Sequence, residues 1–176
     1  RKAYDMERVV SGHETIMDRY DRERKVGLIV DEWGCWHNVE PGTNPGFLYQ
    51  QNTMRDAMVA ALSLDIFNKH AGRVTMTNIA QTVNVLQAMV LTEGDEMVLT
   101  PTYHVYDLYT PHMDAQLLPC AVQADTLTGE VKQLTATASQ KDGVTTLTVS
   151  NLSATDACEV VIDAVGMNLT GAEGRI

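Results

Sequence analysis

KVGLIVDEWGCWHN, residues 25–38, decides the fold. Val26, Gly27, Leu28, Ile29 and Val30 form an unbroken apolar run with β-branched residues at three of its five positions. Such a run is too short for a helix and predicts a strand over 25–31, of the kind buried on both faces in a parallel sheet. Polarity then flips. Asp31 and Glu32 stand together between the apolar run and Trp33, with Trp36 three residues further on, and these are the two tryptophans of the chain. Successive strand side chains point to opposite faces, so one of the two carboxylates is expected to face the interior and the other not.

The flanking segments fix what kind of strand this is. Residues 6–24 carry Val9, Val10, His13, Ile16, Met17 and Tyr20 at helical spacing, with acids and bases on the opposite face. Residues 37–50 are dense in turn formers (Glu40-Pro41-Gly42-Thr43-Asn44-Pro45-Gly46) and read as a loop. A helix is predicted over 52–70. Thr53 caps it, Met54, Met58, Ala61, Leu62 and Ile66 share a face, and Lys69 and His70 sit in the last turn before Gly72. Residues 74–80 are a second strand, 85–91 continue apolar, and Thr100-Pro101 opens a third helix carrying Val105, Leu108 and Tyr109. Helix, strand, helix, strand, helix is an α/β pattern with parallel strands. Beyond about residue 115 the texture becomes Thr-rich alternation. It predicts short strands at 116–122, 134–139, 145–150 and 159–164, a hairpin turn at Asp142-Gly143, and hence a β-sandwich. Two architectures in 176 residues leave each half small, and the expectation is a piece of a larger enzyme.

Composition narrows the partners. The net charge is −10 and the pI about 4.8. Lys and Arg cluster only at Arg19, Arg22, Arg24 and Lys25, among acids, so no basic stripe for nucleic acid exists. Neutral substrates such as sugars suit this balance. No segment has the roughly 18 apolar residues of a membrane span. The N-terminus shows no apolar signal-peptide region. Cys35, Cys120 and Cys158 are widely spaced and read as free thiols, with no zinc-ligand spacing among them.

Functional residues of parallel α/β folds gather at the C-terminal ends of strands, where Asp31 and Glu32 lie. Indole faces pack on the apolar faces of sugar rings, and carboxylates carry out most glycoside hydrolysis. The plainer reading of the pair is a cap on the following turn. His37, Phe47 and Tyr49 share the loop and read either as walls of an outer site or as ordinary loop residues. His13, His104 and His112 read as ordinary surface or core histidines.

DEWGCWHNVEPGTNPGFLYQQNTMRDAMVAALSLDIFNKHAGRV, followed by TNIAQTVNVLQAM and VLTPTYHVYDLY, resembles the C-terminal part of the α-L-arabinofuranosidases of glycoside hydrolase family 51. The resemblance is strong over about residues 20–120 and looser beyond. It implies an α/β plus all-β chain. Residues 1–115 would be the last two βα units of a (β/α)8 barrel, and 116–176 part of a jelly-roll β-sandwich. It further implies retaining release of terminal arabinofuranosyl units from arabinan- or arabinoxylan-type side chains. Glu32 would be the nucleophile, Gln81 would bind sugar hydroxyls, Trp36 would line the site, and Asp31 and Trp33 would support it. Neither a metal nor a cofactor is implied. Family members are often oligomeric, which leaves a homo-oligomer possible. The family's acid/base is a Glu after Asn on an upstream strand; Glu7, Glu14 and Glu23 do not follow Asn, so the isolated chain is expected to be inactive. The competing expectation is a non-catalytic carbohydrate-binding or assembly module derived from such an enzyme.

Overall fold

The computed structural model describes residues 2–176. Its helical elements are α1 (Asp5–Tyr20), α2 (Met54–Lys69) and α3 (Pro101–Tyr109). In the first half, β1 (Leu28–Trp33) and β2 (Val74–Ile79) are parallel neighbours, and β3 (Val90–Glu93) pairs with β4 (Glu96–Leu99) as a hairpin. The second half holds β5 (Gln116–Leu118), β6 (Thr126–Thr128), β7 (Val131–Lys132), β8 (Leu134–Lys141) and β9 (Val144–Asn151). β5, β8 and β9 form one antiparallel sheet in that order, and β6 pairs with β7.

α2 is the hub. Its N-terminus is closed by a capping box: the Thr53 side chain bonds the backbone of Asp56, and the Asp56 carboxylate accepts from the Thr53 N–H at 2.8 Å. Ala57, Ala60, Ala61 and Phe67 are buried against Trp33, Val74, Val105 and Tyr109, so one helix covers the β1–β2 pair and meets α3. The small alanines let these elements approach closely. α3 begins as its sequence dictates, with the Thr100 hydroxyl accepting from the Tyr103 N–H and Pro101 in the first turn.

Several expectations are corrected. The first strand is Leu28–Trp33 rather than 25–31, and it is not buried on both faces: Ile29 is 51% exposed. Leu28 and Val30 face the helices while the other face has no covering layer among the described residues. The expected apolar face of α1 is largely exposed at Val9, Ile16 and Tyr20, and only Val10 is buried. Beyond Val10 and Met6, which join the core, that helix is held by polar contacts, with Glu7 and Glu14 bonding both ring nitrogens of His70. Met54, expected on the inner face of α2, is exposed. The apolar run at 85–91 is not a continuous element: Leu86 to Ala88 are buried in a turn region and only Val90 onward is strand. The strand expected at 116–122 ends at Leu118, and 159–164 forms none. An alternating run becomes a strand only where a neighbour takes its N–H and C=O groups, and none lies beside 159–164. The Asp142-Gly143 turn forms as expected, both residues having positive φ (51° and 80°), with β8 and β9 paired from Leu134↔Asn151 to Lys141↔Val144.

Candidate active site

β1 and β2 end side by side. Trp33 is in register with Ile79, and the Ala80 N–H donates to the Trp33 carbonyl at 2.8 Å. Glu32 and Gln81 therefore emerge at the same end of adjacent parallel strands, both exposed. The peptide joining Ala80 to Gln81 is cis.

The register slips between Val30 and Trp33: three steps along β1 match two along β2. This extra residue, a β-bulge, corrects the simple alternation expected for the carboxylate pair. Without it Glu32 would share the face of Leu28 and Val30, and Trp33 would point away. With it Asp31 and Glu32 are both exposed, and Trp33 returns to the core at 5% exposure. There Trp33 meets Phe67 edge-on at 5.3 Å between ring centroids and stacks on Tyr106 at 6.4 Å. Trp33 thus anchors the strand end rather than lining an open site. Trp36 is the opposite case, 70% exposed on the following loop.

Two buried glutamines hold that loop. The Gln87 Oε1 accepts from the Cys35 N–H at 2.9 Å, while its Nε2 donates to the Asp56 carbonyl at 2.6 Å and to the Thr102 hydroxyl at 3.2 Å. Gln50 accepts from the His37 N–H at 2.8 Å and donates to the Cys35 carbonyl at 3.1 Å. Trp36 is therefore flanked on both sides by backbone groups tied to buried side chains. Asn52 adds bonds to the Ala88 carbonyl and to Thr102, both at 3.0 Å, fastening the loop to the base of α3. Sequence reading missed this scaffold. Its one signal was Gln87 itself, a polar residue inside an apolar run, which in a buried segment must find hydrogen-bond partners.

Beside Trp36 the structure gathers Cys35, His37 and Asp56, whose ligand-type atoms all lie within 4.8 Å of one another. Asp56 is fully buried. Burial, reinforced by the Asp56 carboxylate, pushes the Cys35 thiol up to about 12. A polar hollow of about 300 Å³ opens alongside, lined by His37, Asn38, Glu40, Gln50, Thr53 and Arg55 among others. All three cysteines are free. Among the described residues, no helix is long and apolar enough to cross a membrane.

A strand-end carboxylate pair followed by a tryptophan loop tied to buried glutamines, in a mixed helix-and-sheet chain, is the arrangement of the class of α/β proteins whose sites lie on loops after parallel strands. Residues 31–176 match the α-L-arabinofuranosidase C-terminal domain family, and the chain belongs to that family, as a C-terminal part of a glycoside hydrolase family 51 protein. It is 48% identical over 180 residues to an intracellular exo-α-L-arabinofuranosidase of Bacteroides ovatus, covering 99% of this chain and 35% of that protein. Among solved structures it is similar to the family 51 arabinofuranosidase of Xanthomonas axonopodis pv. citri (TM-score 0.83, 52% identity, 86% of this chain and 32% of that one). It is also similar to the Thermotoga maritima α-L-arabinofuranosidase in its arabinose complex (TM-score 0.72, 25% identity, 85% and 34%). The chain thus spans about a third of the length of these relatives.

Proposed function

We propose that this chain is the nucleophile-bearing part of a retaining exo-α-L-arabinofuranosidase acting on arabinofuranosyl-containing oligo- or polysaccharides. The observation that carries the reading is the placement of Glu32 and Gln81 at the same end of two neighbouring parallel strands, in a chain 48% identical to a protein named as an exo-arabinofuranosidase. Residues 1–115 are read as the last βα units of a (β/α)8 barrel and 116–176 as part of a jelly roll.

In this reading Glu32 attacks the anomeric carbon and the aglycone leaves. A glycosyl-enzyme ester forms, and water then cleaves it with net retention. The bulge serves this by freeing the Glu32 carboxylate from the core face while Trp33 locks the strand end behind it. Gln81 holds sugar hydroxyls, Trp36 offers its exposed indole as a wall, and Asp31 supports the strand end. A retaining site needs a second carboxyl group at about 5–5.5 Å from the nucleophile to protonate the leaving oxygen. No carboxylate of this chain follows an Asn, as the family acid/base does, so the chain alone gives no turnover.

The test uses a polypeptide that also carries the upstream barrel strands. Glu32→Ala removes release of nitrophenol from an aryl arabinofuranoside, and added azide restores part of it by replacing the lost nucleophile. Undiminished release by Glu32→Ala ends the nucleophile assignment. Turnover by the 176-residue chain by itself would overturn the claim that its acid/base lies elsewhere.

A further inference from the structure

We propose that Cys35, His37 and Asp56 bind one thiophilic divalent cation of the zinc type, which clamps the loop carrying Trp36. The three donors are a thiol, an imidazole and a carboxylate, the mixture of sulfur, nitrogen and oxygen that a zinc ion takes at about 2.0–2.3 Å in tetrahedral geometry. In that geometry donor atoms stand roughly 3.5 Å apart. Here they all lie within 4.8 Å of one another, with His37 Nε2 and Asp56 Oδ1 at 4.0 Å. The closing movement required is small, and the exposed His37 side chain can make it.

The two oxygens of Asp56 divide their work. Oδ2 belongs to the capping box, accepting from the Thr53 N–H and hydroxyl at 2.8 and 3.1 Å. Oδ1 faces His37 at 4.0 Å and accepts from Arg55 Nη2 at 3.3 Å, a donor that also reaches Oδ2 at 3.1 Å. The Arg55 side chain is half exposed, so it can swing into solvent as the cation enters through the hollow lined by His37 and Arg55. Coordination exchanges the Cys35 thiol proton for the cation, the proton passing to solvent. Three protein ligands leave a fourth position for water. Second-sphere support is in place: the Cys35 and His37 N–H groups are fixed by Gln87 and Gln50, which sets the loop before the ion arrives. Because Trp36 lies between two ligands, a bound ion restrains the backbone on both sides of it. Sequence spacing gave no sign of this set, since Asp56 joins Cys35 and His37 only through the packing of α2.

The test is a titration of this chain, carrying Cys120→Ala and Cys158→Ala so that Cys35 is its one thiol, with zinc and with cobalt(II). Expected are one zinc per chain, a sulfur-to-cobalt charge-transfer band in the near ultraviolet with the intense visible bands of tetrahedral cobalt, and a change in Trp36 emission. His37→Ala weakens zinc binding by at least about tenfold, and Cys35→Ser removes the charge-transfer band. His37 is exposed, so its variant keeps the test sound if Cys35→Ser folds poorly. A cobalt complex without the sulfur band, or zinc affinity unchanged in His37→Ala, overturns the proposal. Neither readout depends on hydrolase activity.

Discussion

A methyl group added at Gly34 would lie 3.3 Å from the Ala80 carbonyl and 3.3 Å from the Gln87 Oε1, and the residue's φ is +147°. Both contacts belong to the machinery that closes the strand end onto the loop, so neither can retreat freely. Gly34→Ala is therefore expected to lower stability by about 1–3 kcal/mol, read from the urea midpoint. Gln87 presents the complementary case. Its side chain is fully buried and serves three groups from three segments: the Cys35 N–H, the Asp56 carbonyl and the Thr102 hydroxyl. Gln87→Ala strands all of them and leaves a void, a cost of about 3 kcal/mol with selective exposure of the Trp36 loop. Hydrogen exchange at the Cys35 and His37 amides checks the locality. Uniform loss of protection across the whole chain would show that Gln87 is a general core residue rather than a loop anchor.

At the scale of elements, what was legible follows from how local each signal is. The parallel β1–β2 pair could be read because apolar runs and helix caps are local, and the capping box at Thr53 and the Asp142-Gly143 turn were visible for the same reason. The bulge at Asp31–Glu32 was not, because it is a mismatch between two strands and exists only once they are paired. The β3–β4 hairpin was hidden by Glu93, Asp95 and Glu96, whose charge reads as loop although Gly94, at φ +56°, makes the turn. The docking of α1 differs from the expectation because most of its apolar stripe (Val9, Ile16, Tyr20) is exposed, while its inner side joins Val10 and Met6 in the core to an ionic cluster. His70 bonds Glu14 at 2.7 Å and Glu7 at 2.9 Å. Burial acts to lower the His70 pKa, but the two carboxylates outweigh it and the net direction is up. The folded state then binds a proton that the unfolded chain releases near its ordinary value of about 6.5. This stabilisation is complete below that pH, provided the carboxylates stay ionised, and is lost as pH rises through the folded value. His70→Gln is expected to cost most in mildly acidic solution and progressively less in alkaline solution. A cost independent of pH would show that the contact is steric rather than ionic.

For the whole molecule, the junction of the helical layer and the β region centres on a buried carboxylate. Asp65 of α2 is fully buried and accepts from the Tyr109 hydroxyl at 2.7 Å and from Thr135 and Thr137 of β8 at 2.6 Å each. His112 adds a second tie, to the Ser139 and Thr148 hydroxyls at 2.7 and 3.1 Å, so this histidine joins α3's end to β8 and β9. Asp65→Ala leaves the Thr135 and Thr137 hydroxyls without their acceptor and Tyr109 with only the Ala61 carbonyl at 3.3 Å, and should cost about 3 kcal/mol, with β8 and β9 loosening from α2 before the β1–β2 pair melts. The pH dependence discriminates the charge state. Burial pushes the Asp65 pKa up, against the pull of the three hydroxyl donors, so between about 3.9, the ordinary aspartate value, and the folded value the native state holds a proton that the unfolded chain has lost. Stability from this group therefore declines as pH rises through that window and is flat above it. Asp65→Asn keeps an acceptor and cannot ionise, so its deficit relative to wild type should shrink as pH increases across the window. A deficit that instead grows with pH would mean that the Tyr109, Thr135 and Thr137 hydroxyls together outweigh desolvation and hold Asp65 as a buried carboxylate.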